Sequence, residues 1–109
     1  METNIDIKTA RKLFKFCLDI LNFYEYMLNQ NKKPIAIRVL TSTMAVACSY
    51  QKKSSADKRK EIIENEQNII INLKNVIYWL EQCEKSGYWL DKKLKKNAIE
   101  LQKMLFPKF

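Results

Sequence analysis

A chain of 109 residues with 20 Lys+Arg against 12 Asp+Glu has the size of one domain and a net charge of +8, and it contains no histidine. The missing imidazole removes the commonest general base and metal ligand, and the cationic excess favours an anionic partner such as RNA, DNA or a membrane surface. One glycine and two prolines are too few for the turns of a β-rich domain, which argues for helices joined by short connections.

The first predicted helix spans about residues 6–29. Ile7, Ala10, Phe14, Cys17, Leu21, Tyr24 and Leu28 recur at spacings of three and four, which places them on one face. A second row, Leu13, Phe16, Ile20, Phe23 and Met27, runs one residue offset from the first. Two adjoining rows make a stripe wider than one partner helix covers, so part of it is expected to pack on another subunit. The second row is assigned as that oligomer interface.

"NQNKKP" reads as a loop, and Pro34 suits the first turn of a second helix over about residues 34–51. Ile35, Val39, Met44, Val46, Ala47 and Tyr50 alternate there with small residues that permit close helix approach, so this helix is expected to be the most buried. In "KKSSADK", Ser54 followed by Asp57 resembles a capping pair, which starts a third helix near residue 55. That helix continues through Ile62, Ile69, Leu73, Val76, Leu80 and Cys83 to about residue 84 and stops at Gly87, the expected left-handed residue. A helix of about 30 residues is ~45 Å long, the spine of the fold. Asp91 is a good N-cap for the fourth helix, about residues 91–105, which carries Leu94, Ala98, Leu101 and Leu105 on one face. The expected fold class is all-α, an antiparallel up-and-down four-helix bundle filling residues 1–109.

The groups able to carry chemistry are few. Glu61, Glu64 and Glu66 open the third helix, where carboxylates complement its dipole and pair with lysines, so no catalytic role is assigned. Cys17, Cys48 and Cys83 lack paired spacing and do not form a zinc signature; buried thiols in a reduced, cytoplasmic setting are expected, and neither metal nor cofactor is assigned. Glu2, Asp6, Lys8, Arg11 and Lys12 interrupt any signal-peptide pattern, and the apolar run at 69–73 is far short of the ~20 residues of a membrane span.

Basic residues cluster at Lys8, Arg11, Lys12 and Lys15, at Lys52, Lys53, Lys58, Arg59 and Lys60, and at Lys92, Lys93, Lys95 and Lys96. The last two clusters are assigned as nucleic-acid-binding; with a straight third helix they mark opposite ends of the bundle. Asn65, Asn68, Asn72 and Asn75 align on one polar face, open either to solvent, to a subunit contact or to nucleic acid. Tyr78, Trp79, Tyr88 and Trp89 surround Gly87. Packing across the turn is their leading role, because base stacking requires exposed rings.

Two segments, "VLTSTMAVACSYQKKSSADK" and "LKNVIYWLEQCEKSGY", resemble the second helix with its Ser-rich turn and the long third helix of the four-helix-bundle proteins. These are also called the S23 or 23S rRNA intervening-sequence family, and are similar to the accessory variability proteins of diversity-generating retroelements. The likeness covers most of the chain from helix two onward, and neither segment is a catalytic signature. Ser49 and Lys52 stand where the family often has Asn and Glu, a departure that makes the surface more basic. The resemblance implies a homopentameric ring of four-helix protomers. For the retroelement proteins it also implies binding to a reverse transcriptase and its structured template RNA. The function expected is therefore a non-enzymatic, cytoplasmic, oligomeric RNA-binding accessory protein; the alternative is an intervening-sequence type of structural or protein-interaction module that binds no nucleic acid.

Overall fold

Four helices make up the computed structural model, which describes residues 4–88 and 91–106: α1 Asn4–Asn29, α2 Lys33–Ser55, α3 Arg59–Lys85 and α4 Lys92–Leu105. Each helix packs on its two neighbours in the order α1, α2, α3, α4 and back to α1, and the diagonal pairs do not meet. This is the expected up-and-down bundle, with dimensions of 44 × 23 × 23 Å. The α2–α3 interface is the most extensive, and those of α4, which has only 14 residues, are the smallest.

The core is built from one stripe per helix. Leu13, Phe16, Ile20, Phe23 and Met27 of α1 meet Ala36, Val39 and Val46 of α2, Ile69, Leu73, Val76, Leu80 and Cys83 of α3, and Leu94, Ala98 and Leu101 of α4. Burial of each large aliphatic side chain contributes about 1.5–3 kcal/mol. The row of α1 assigned to the oligomer interface therefore lies inside the protomer: Leu13, Phe16, Ile20, Phe23 and Met27 are all at most 5% exposed. Of the neighbouring row, Ile7, Phe14 and Leu21 face outward instead.

α2 is not the most buried helix. Its small residues do allow close packing, and the buried Thr43 hydroxyl donates to the Val39 carbonyl at 2.8 Å, yet Ile37, Met44 and Cys48 are exposed. It also runs four residues past its expected end. The Ser54 and Ser55 hydroxyls donate back to the carbonyls of Tyr50 and Gln51, so these serines close α2 and do not cap α3. α3 starts later, at Arg59, with Lys58 in the cap position and no side-chain cap.

Both turns at the opposite end use the same device. Gly87 at φ +77° and Asn31 at φ +58° take the left-handed conformation, which suits these two residue types. Tyr88 and Gly87 N–H groups donate to the Cys83 and Glu84 carbonyls, and Lys32 and Asn31 N–H groups donate to those of Met27 and Leu28. Each pair is a Schellman motif that ends a helix sharply. Asp91 caps α4 as expected, its carboxylate accepting from the Lys93 N–H at 3.0 Å.

Candidate functional site

Connectivity places the two lysine clusters at opposite ends of the bundle. The α2–α3 connection carries Lys52, Lys58, Arg59 and Lys60, all exposed and without an ion pair among the described residues. Lys53 differs, since its Nζ lies 3.1 Å from Glu66 Oε2 and ties α2 to α3. Beside this cluster an open groove of about 440 Å³ is lined by Lys52, Asn65 and Asn68 together with Glu61 and Glu64. The cations thus border an acidic wall formed by Glu61 and Glu64, with Lys52 the one cation on the groove itself.

At the other end Lys92 and Lys93 open α4, both exposed. Lys95 is held 3.3 Å from both Glu81 and Glu84, and these hydrogen bonds, that to Glu84 first, raise its pKa. It joins α3 to α4. Lys92, Lys96 and Lys103 flank an open groove of about 410 Å³ along the outer side of α4. On α1, Lys12 lies 2.9 Å from Glu100, whose pKa falls chiefly through that hydrogen bond, and Lys15 lies 3.6 Å from Asp19. Of the nine cations assigned to nucleic acid, Lys53 and Lys95 therefore link helices, and the other seven have no ion pair among the described residues.

The asparagine row divides by the same test. Asn65 and Asn72 donate to the Glu61 and Asn68 carbonyls at 2.8 Å, while the side-chain amides of Asn68 and Asn75 reach solvent. Among the aromatics, Trp79 and Tyr88 pack against the core, in line with their assigned role. Arg38 of α2 lies over the Trp79 ring at 5.2 Å, and Lys32 lies over Tyr88 at 4.7 Å, joining the two Schellman turns. Tyr78 departs from that role. It is 51% exposed and meets Trp79 edge to face at 5.0 Å. Trp89 lies outside the described residues.

An apolar surface missed by the sequence reading runs down α1 and α2. Phe14 is 67% exposed, and Ile7, Leu18 and Leu21 accompany it. Lys12 faces α4 through Glu100, and helical spacing puts the Ile7, Phe14 and Leu21 row on the opposite, α2 side. Ile37 and Met44 are the exposed apolar residues of α2. Helical spacing points both away from the buried stripe of α2, about 100° or more round the helix from Arg38, which faces α3. The signal was present as two apolar rows on helix one, but the outside was given to the second row and belongs to Ile7, Phe14 and Leu21 of the first.

Cys48 is exposed, contrary to the expectation of buried thiols, whereas Cys83 is buried and Cys17 half-buried. Burial pushes the Cys83 thiol up to about 11 and raises that of Cys17. Among the described residues no group of three Cys, Asp or Glu side chains is placed to hold a metal ion, and no helix is long and apolar enough to cross a membrane.

These features define an up-and-down four-helix bundle with cationic ends and no metal centre among the described residues. Its backbone is similar to that of a protein of unknown function from the S23 ribosomal protein family of Bacteroides thetaiotaomicron. The two share 20% of their residues at a TM-score of 0.86, over 94% of this chain and 96% of that one. The family resemblance seen in helices two and three is thus matched by the whole fold. No profile of a known protein family matches the chain, and neither does any curated protein.

Proposed function

We propose that the chain is an S23-type, non-enzymatic RNA-binding protein that works as an oligomer, most concretely as an accessory subunit of a retroelement reverse transcriptase and its template RNA. The observation that supports it best is the set of free cations at the two ends, Lys52, Lys58, Arg59 and Lys60 at one and Lys92, Lys93 and Lys96 at the other. Flexible lysines suit phosphates, which carry no base information but dominate affinity. In an assembly, repeated weak phosphate contacts combine into avidity that falls steeply with salt. The exposed apolar face of α1 and α2 supplies the surface for assembly.

Charge reversal of Lys58, Arg59 and Lys60 together is expected to weaken binding of a structured RNA and to lower the slope of log affinity against log salt by about 2–3. Helix content should stay constant. Unchanged affinity would remove this end from the binding surface. The exposed apolar face also favours a second reading, a protein-interaction module without nucleic acid. Light-scattering mass with and without RNA separates the two, since a discrete oligomer indifferent to RNA at low salt supports the second.

A further inference from the structure

The outward side of α3 next to α2 carries a row that the charge clusters do not explain. Asn68, Ile71, Asn75, Tyr78, Gln82 and Lys85 follow one another at spacings of three and four, hence on one line about 25 Å long. All are exposed except the half-buried Gln82. At its middle stands the half-exposed Tyr78 ring, braced at an interplanar angle of 80° by Trp79, which Arg38 covers in turn.

Charge along the row is uneven. From Gln67 to Leu80 α3 has no acidic residue, and its only charge there is Lys74. Glu81, three residues after Tyr78, and Glu84 are both engaged by Lys95 on the α4 side, which offsets their charge. Glu61 and Glu64 stand before its N-terminal end, and Lys85 ends it near the turns that carry Lys32, Lys33, Lys92 and Lys93. An exposed ring, free amides and flanking cations are the parts needed to stack an unpaired base, hydrogen-bond its edge and hold its phosphates.

We infer that this row of α3 is a stacking platform for the unpaired bases of single-stranded RNA, with Tyr78 as the stacking ring and Asn75 and Gln82 as edge readers. The inference rests on the RNA-binding reading above and assigns it a surface and a kind of RNA. A duplex offers no free base faces, so the platform discriminates by strand state while the lysine ends bind both forms.

The test uses the full chain at low salt with a fluorescein-labelled, unstructured 20-nucleotide RNA and the duplex of the same sequence. The wild type is expected to bind the single strand more tightly. Tyr78→Ala should lose about tenfold on the single strand and little on the duplex, with Tyr78→Phe keeping the wild-type affinity. Asn75→Ala, at an exposed position, is expected to weaken single-strand binding by a smaller factor. Circular dichroism melts check that each variant is folded. Single-strand binding that is unchanged in Tyr78→Ala, or a wild-type preference for duplex, overturns the platform and leaves the lysine ends as the RNA surface. No binding of either RNA by the wild type overturns both readings.

Discussion

Cys48 and Cys83 are both apolar-context cysteines in the sequence, yet the fold gives them opposite chemistry. The thiolate is the reactive form, and Cys83 is buried with a pKa of about 11, while Cys48 sits in solvent. Iodoacetamide at pH 8 is expected to modify Cys48 rapidly, Cys17 slowly and Cys83 only after denaturation, as mass spectrometry of the peptides will report. Fast modification of Cys83 in the native protein would contradict the packing of α3. Tyr78 and Trp79 give a similar lesson. Adjacent residues of a helix point about 100° apart, so one ring enters the α2–α3 seam and the other leaves it. The cluster of aromatics around Gly87 was legible, but the division of labour within it depends on where α2 lies.

At the scale of elements, the ends of the helices separate local signals that act alone from those that compete. Asp91 has no rival use for its carboxylate and caps α4; Asp91→Ala should cost about 1 kcal/mol, a drop of about 4–8 °C in Tm. Ser54 resembles a cap by pattern, but its hydroxyl is taken by the Tyr50 carbonyl one turn back. Ser54→Ala is therefore expected to change stability by less than about 0.5 kcal/mol, and a loss equal to that of Asp91→Ala would restore it as a cap. α4 also has an electrostatic signature. The raised pKa of Lys95 means its stabilisation is present below the ordinary lysine pKa and is lost as pH rises through the higher folded value. The lowered pKa of Glu100 acts in reverse, its stabilisation being present above the ordinary glutamate pKa and lost as pH falls through the lower folded value. Hence α4 should hold best between about pH 5 and pH 10, and a pH series of thermal melts should lose this edge in Lys95→Met at the alkaline side only.

For the whole molecule, the decisive contrast is between two phenylalanines two residues apart. Phe16 is 3% exposed and Phe14 67%. Phe16→Ala should cost about 3–5 kcal/mol by opening the core, whereas Phe14→Glu should leave the melting temperature nearly unchanged and lower the mass of any assembly in light scattering. An assembly that survives Phe14→Glu would show that its contacts lie elsewhere on the bundle. The same contrast explains the misassigned interface. Both rows of α1 are apolar at helical spacing, and periodicity states that two stripes exist without stating which one the other helices will cover.

The sequence by itself determined the four helices, their order and the up-and-down packing, since glycine scarcity, short polar connections and one apolar stripe per helix leave few other arrangements. It also determined the two cationic ends, because charge clusters at chain reversals can only lie at the ends of a bundle. Only the tertiary structure decided which row of α1 is core, which lysines are tied to carboxylates on a neighbouring helix, and which aromatic ring faces solvent. Those outcomes depend on the angle at which each helix turns its faces to the next, and that angle is set by contacts between residues far apart in the chain.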